Sequence, residues 1–203
     1  MAGRLVALEG IDKSGKGTQA RLLKAWLENL GLKVETIEFP DYSTPIGKEI
    51  KAFLDGKRNF SAEVRQLLYV ANRWERKRDI EKWIDDGRIV IADRYTPSGI
   101  AYGLANDLPL KWLLCLEEGL PKADLVVVID ITVDTSFKRM KKEQDIYERN
   151  YAFLEKVRNC YLKLSKEFNW VVVDGERSVG EVFSDIKMVV ESFLGRTETS
   201  APS

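Results

Sequence analysis

Five short runs of nearly unbroken apolar, β-branched-rich sequence punctuate the 203-residue chain. They are Leu5–Glu9, Val34–Phe39, Arg88–Asp93, Leu125–Asp130 and Trp170–Val173. A strand with one wet face alternates apolar and polar side chains; a strand covered on both faces does not. Runs of this kind belong in a parallel sheet, whose strands are joined by long crossovers. Helical periodicity fills the intervals. The expected helices are Lys16–Leu30 closed by Gly31, Ser61–Asp85 opened by a Ser61 N-cap and followed by Gly87, Leu110–Glu118, Asp134–Lys142, Tyr147–Phe168 and Ser178–Leu194. The fold expected is α/β, a three-layer doubly wound five-stranded parallel sheet. It forms one domain over residues 1–194, followed by a flexible polar tail at 195–203.

Composition removes several classes of chemistry. Lys plus Arg and Asp plus Glu both number 32, so no global positive field exists to hold a nucleic-acid backbone. The chain has no histidine, which rules out Ser-His-Asp and Cys-His mechanisms and removes the commonest zinc ligand. Cys115 and Cys160 lie far apart and form no C-x-x-C pair, as suits a reducing, cytoplasmic compartment. No apolar run approaches the ~20 residues of a membrane span. Neither nucleic acid nor membrane is expected as a partner.

The segment Gly10-Ile11-Asp12-Lys13-Ser14-Gly15-Lys16-Gly17-Thr18 stands between the first strand and the first helix. Consecutive backbone N–H groups in such a loop form an anion nest at a helix N-terminus, and the lysine reaches the β- and γ-phosphates of a nucleotide. Gly10, Gly15 and Lys16 match the G-x-x-x-x-G-K spacing. The following position holds Gly17, and the hydroxyl comes one residue later at Thr18, about 100° further round the helix. Thr18 and the strand-terminal Asp93 are the candidate Mg²⁺ ligands, Asp93 through water. Asp12 is an anion among phosphate-binding amides. It is expected to turn toward an acceptor.

Three further segments accompany the loop: Leu67-Leu68-Tyr69-Val70-Ala71-Asn72-Arg73-Trp74-Glu75, Ala92-Asp93-Arg94-Tyr95-Thr96-Pro97-Ser98-Gly99-Ile100-Ala101-Tyr102 and Gly119-Leu120-Pro121-Lys122-Ala123-Asp124. With Leu8-Glu9-Gly10-Ile11-Asp12, they resemble thymidylate kinases in matching order from about Leu5 to about Val190. The resemblance implies a P-loop kinase with a short lid at about 139–150, assembled as a homodimer. It would use ATP and Mg²⁺ to convert dTMP to dTDP.

The resemblance also implies roles. Gly10 to Thr18 bind ATP, and Arg139 stacks on adenine. Asp12, Phe39, Tyr69, Arg73, Arg94, Ser98 and Tyr102 bind dTMP, joined from the lid by Tyr147 and Glu148. Tyr102 stands against the sugar where a ribose 2′-hydroxyl would be. Lys16, Arg94, Asp12, Lys13 and Asp93 form the catalytic set. Independently of the family, Tyr69, Arg73 and Arg76 fall at i, i+4 and i+7 on one helix face, and an aromatic ring and a guanidinium there suit a base. Arg94 suits a phosphate at the carboxyl end of a strand.

Five positions depart from the family pattern. Lys13, Lys141 and Lys142 stand where relatives place an arginine in the loop or lid. Tyr42 replaces an acceptor-side arginine. Gly103 follows Ala101-Tyr102 where bacterial relatives often have glutamine, so dUMP is an expected second acceptor. Two rival readings stay open from sequence: a deoxynucleoside kinase on the same scaffold, and a nucleotide-dependent switch or binding protein.

Overall fold

The computed structural model describes residues 3–140 and 150–199. Lys141, Lys142, Tyr147 and Glu148, and with them most of the expected lid, lie outside the described residues. Five parallel strands form one sheet in the order β2-β3-β1-β4-β5. The strands are β1 Arg4–Glu9, β2 Val34–Glu38, β3 Ile89–Asp93, β4 Leu125–Asp130 and β5 Val171–Asp174. Each lies within one residue of its expected boundaries. The central β1 sends the chain to one side for β2 and β3 and to the other for β4 and β5. Its carboxyl end is therefore the point of topological reversal, where open α/β sheets bind ligands.

Side-chain alternation along the strands divides the core. Leu5, Ala7, Val90, Ala92, Val126 and Val128 face one side. Val6, Leu8, Ile89, Ile91, Val127 and Ile129 face the other. The first set is covered by α3 (Ala62–Asp85), α4 (Thr96–Ala105) and α7 (Tyr151–Phe168), the second by α1 (Lys16–Asn29) and α8 (Val179–Thr199). Buried on both faces, these strands need no polar alternation.

Capping follows the sequence signals. The Ser61 hydroxyl accepts the Val64 N–H at the start of α3. Gly31 (φ 80°) and Gly87 (φ 73°) take the left-handed conformation just past α1 and α3. Two helices escape the periodicity reading: α2 (Pro45–Leu54) and α4. Both open on a Thr-Pro pair, and α4 carries Gly99 and Gly103, which weaken a helix signal. The short helices α5 (Leu110–Leu116) and α6 (Val133–Arg139) end earlier than expected. Conversely, α8 continues through Gly195 to Thr199, so those five positions of the expected tail are helical. No helix among the described residues is long and apolar enough to cross a membrane.

Candidate active site

The carboxyl ends of β1 and β3 place two structures side by side: the loop from Gly10 to Gly15, and the turn at Arg94 that leads into α4. In the loop, Gly10 (φ 136°), Lys13 (φ 62°) and Gly15 (φ 100°) bend the backbone so that α1 begins at Lys16. Two of these bends are glycine and incur no Cβ penalty. The buried Lys16 ammonium curls back onto the loop, donating to the carbonyls of Gly10 (3.1 Å) and Ile11 (2.9 Å) and to the Ser14 hydroxyl (3.3 Å). Burial, and then the nearby Arg94 guanidinium, pull the Lys16 pKa down to about 8.

Other donors occupy the same loop from outside. Ser136 Oγ of α6 donates to Asp12 O at 2.7 Å, and Arg139 donates to Lys13 O at 3.3 Å and to Gly175 O at 3.0 Å. Arg139 thus ties the loop to the turn after β5. The Thr18 hydroxyl accepts from Arg21 at 3.4 Å. Asp93 Oδ2 lies 3.1 Å from where a side chain at Gly17 would begin, so this acid faces the N-terminus of α1.

Arg94 joins loop and cleft. Its φ of 65° is disfavoured by roughly 1–2 kcal/mol for a residue with a Cβ. Here it is held by a bond from its N–H to Leu8 O. The guanidinium donates to Gly10 O at 2.9 Å, to Ser98 Oγ at 3.3 Å and to Asp12 Oδ1 at 2.5 Å. The other Asp12 oxygen accepts from Tyr102 at 3.1 Å. Burial opposes ionisation of Asp12, yet Arg94 and then Lys16 hold its carboxyl below the usual range. The carboxylate therefore points to Arg94 and Tyr102, at the edge of the cleft.

Beneath Arg94 lies an acid that sequence reasoning passed over. Glu9 is fully buried; it accepts from Tyr95 N–H (2.7 Å), Ser98 Oγ (2.5 Å) and Tyr161 (2.9 Å). Desolvation raises its pKa, partly offset by these donors and by Arg94. An acid ending an apolar strand was the available signal. Its partner Tyr161, 152 residues away on α7, carried none.

The adjoining cleft encloses about 760 Å³, counting its open mouth. Phe39, Tyr69, Arg73, Ser98 and Tyr102 all line it, as do Asp12, Arg94 and Tyr42. Arg73 is bound through Nε (3.1 Å) and Nη2 to the carboxylate of Glu117, a buried fork-to-fork pair. Burial raises the Glu117 pKa against the pull of Arg73. Gly99 makes room for the pair: a Cβ there would stand 2.6 Å from Arg73 Nη2. Arg76 departs from the expected face; it pairs with Asp41 (3.3 Å) and Asp79 (3.1 Å) and does not line the cleft. The face of α3 turned to the cleft runs instead through Gln66, Tyr69 and Arg73.

Known proteins share this sequence pattern and fold. The thymidylate kinase family profile matches residues 8–186. The human thymidylate kinase is 36% identical, with 98% of this chain and 95% of the human one covered. A probable thymidylate kinase of Pyrococcus abyssi is 37% identical over 96% of this chain and 98% of its own. Among solved structures, the thymidylate kinase of Candida albicans superposes with a TM-score of 0.85 at 33% identity, covering 94% of this chain and 92% of that one. With the profile spanning most of the sequence and the fold shared over 94% of the chain, the chain belongs to the thymidylate kinase family, whose members use ATP to phosphorylate dTMP.

Proposed function

We propose that the loop Gly10–Thr18 holds the phosphates of ATP, that the Tyr69–Arg73 cleft holds dTMP, and that Arg94 acts between them, all within one P-loop domain. The observation that carries this reading is the Arg94 guanidinium itself, bonded at once to the loop carbonyl of Gly10 and to the cleft residues Asp12 and Ser98. A bidentate cation at that junction suits the acceptor phosphate and the charge that develops on the transferring phosphoryl. The acceptor phosphate is already an anion, so positioning and charge stabilisation suffice and no strong base is needed.

In this reading Lys16 leaves the loop carbonyls for the β- and γ-phosphates. Lys13 adds positive charge beside the transferring group, and Asp12 holds Arg94. Arg139 lies against the adenine. Phe39 and Tyr69 flank the pyrimidine, Arg73 donates to a ring carbonyl, Ser98 supports the acceptor phosphate, and Tyr102 packs against the sugar. These ring-edge contacts serve uracil as well, so dUMP is a weaker second acceptor.

Mg²⁺ fits the donor set beside the loop. Glu38 and Asp93 end neighbouring strands in register, and Glu38's pKa is raised by burial and then by Asp93. Hard carboxylate oxygens next to phosphate are what this cation takes. Asp93 would hold it through water, with the Thr18 hydroxyl alongside. No cluster of three or more acidic, His or Cys side chains poised for a metal occurs among the described residues, so phosphate oxygens would complete the shell. The ion would neutralise charge on the β- and γ-phosphates.

The homodimer reading rests on α3. Val64, Leu67 and Trp74 stand 41%, 46% and 43% exposed along one stripe of that helix, on a different side from the cleft residues. Large apolar side chains aligned this way mark a contact surface.

The test is ADP formation from Mg·ATP with dTMP, dUMP, dCMP, dGMP, UMP and thymidine as acceptors. Preferential use of dTMP, abolished by Arg94→Ala in a folded protein, supports the assignment of Arg94. Near-wild-type turnover in that variant would overturn it.

A further inference from the structure

Among the polar side chains that line the cleft is one, Gln66, that the proposed function leaves unemployed. Gln66 is 4% exposed, lines the cleft, and its Nε2 has no hydrogen-bond partner. A buried amide N–H left unpaired costs free energy comparable to a lost hydrogen bond, so its persistence calls for an explanation. Its setting supplies one. On α3, Gln66, Tyr69 and Arg73 follow one another at i, i+3 and i+7 and all line the cleft, with the aromatic ring between the two polar groups. Where α3 packs against α4, α4 presents a glycine to each polar group. Gly99 faces Arg73; a Cβ at Gly103 would stand 3.2 Å from Gln66 Oε1 and only 2.4 Å from Leu113 Cδ2. A side chain at position 103 would therefore crowd the Gln66 amide from behind, and the glycine leaves it room.

We propose that Gln66 is a specificity-determining residue that reads the imide edge of the acceptor pyrimidine. Its Nε2 donates to a ring carbonyl, and its Oε1 accepts the ring N3–H. An imide presents a donor flanked by two acceptors, and a primary amide is complementary to a donor–acceptor pair of that kind. Arg73 has its Nε and Nη2 engaged by Glu117, and as a guanidinium it only donates. The two residues together demand a carbonyl where cytosine carries an amino group. A site built to satisfy buried polar groups rejects analogues that leave them unpaired. The proposal rests on the reading of this cleft as the acceptor pocket.

The test compares dTMP with its N3-methyl analogue, which lacks the N3–H, in the wild type and in Gln66→Met, which keeps side-chain length without polar atoms. Gln66→Leu serves if the Met variant melts early. In Gln66→Met, KM for dTMP should rise about tenfold with kcat nearly unchanged, the signature of lost uniform binding. The preference for dTMP over the analogue, taken as kcat/KM, should shrink by about tenfold, a coupling that a merely structural role does not produce. Tyr69→Leu is the control, expected to raise KM for both nucleotides by the same factor. An unchanged preference in Gln66→Met, with KM raised in Tyr69→Leu, overturns the role of Gln66 alone. An unchanged KM in Tyr69→Leu overturns the pocket reading and this proposal with it.

Discussion

Arg94 and Asp12, 82 residues apart in sequence, meet at 2.5 Å where the phosphate loop borders the cleft. The contact resolves an apparent contradiction, an anion within an anion-binding loop. Asp12 is paired with Arg94 and bonded by Tyr102; in the proposed site its charge serves to aim the guanidinium.

From this, Asp12→Asn should lower kcat by about tenfold or more while leaving KM for dTMP unchanged or lower. Arg94 would lose its aim but retain its full positive charge for the acceptor phosphate. Steady-state kinetics at saturating ATP decides it, and an unaltered kcat would exclude an aiming role.

If Lys16 holds the ATP phosphates as proposed, ATP affinity should depend on pH. Its pKa of about 8 belongs to the nucleotide-free protein, whereas bound phosphates favour the ammonium and raise it. Binding above that pH therefore takes up a proton. ATP affinity should weaken by at most about tenfold per pH unit beyond pH 8 and level off below it. Fluorescence titration between pH 7 and 10 reads the effect. Lys16→Met should bind weakly and without this dependence.

The Arg73–Glu117 pair separates stability from recognition. Removing one partner of a buried pair costs about 3–5 kcal/mol, so Glu117→Ala should lower the melting temperature by roughly 10 °C. The double variant Arg73→Met/Glu117→Leu fills the same space with apolar atoms and should melt near the wild type. Its affinity for dTMP, read by calorimetry, should nevertheless fall at least about tenfold. Tight binding by that variant would exclude Arg73 as a base contact.

Glu9 gives a stability prediction with a definite sign. Folding raises its pKa, so the folded chain binds that proton more tightly than the unfolded chain does. Ionising it costs stability as pH rises from the ordinary carboxyl range through the raised value. Glu9→Gln keeps the donors Tyr95 N–H, Ser98 and Tyr161 satisfiable, so it should melt about 2–4 °C higher at neutral pH. The gain should vanish in acid. Scanning calorimetry at two pH values checks both halves.

Legibility in sequence tracked the range of the interaction. The five strands were readable because burial on both faces makes each a continuous apolar run. The loop was readable because its glycines, lysine and flanking strand are consecutive. Arg73 was recognisable on its own helix, but Glu117 lies 44 residues away and had no reason to be paired with it. Glu9 with Tyr161 and Gln66 with Gly103 were likewise invisible, because each joins two elements far apart in sequence. The same holds for α4, whose glycines read as helix breakers yet are required by what packs against them.

The carbonyls of the phosphate loop carry one last consequence. Apart from Lys16, Gly10 O accepts from Arg94, Ile11 O from the Ser14 N–H, Asp12 O from Ser136, and Lys13 O from Arg139, so the proposed swing of Lys16 to a nucleotide would leave each with a donor. No acceptor among the four is orphaned by the departure. The ammonium is a detachable guest on a loop already held from outside. Under the proposed function, filling and emptying the site would then ask for one side-chain swing and no repair of the backbone that receives it.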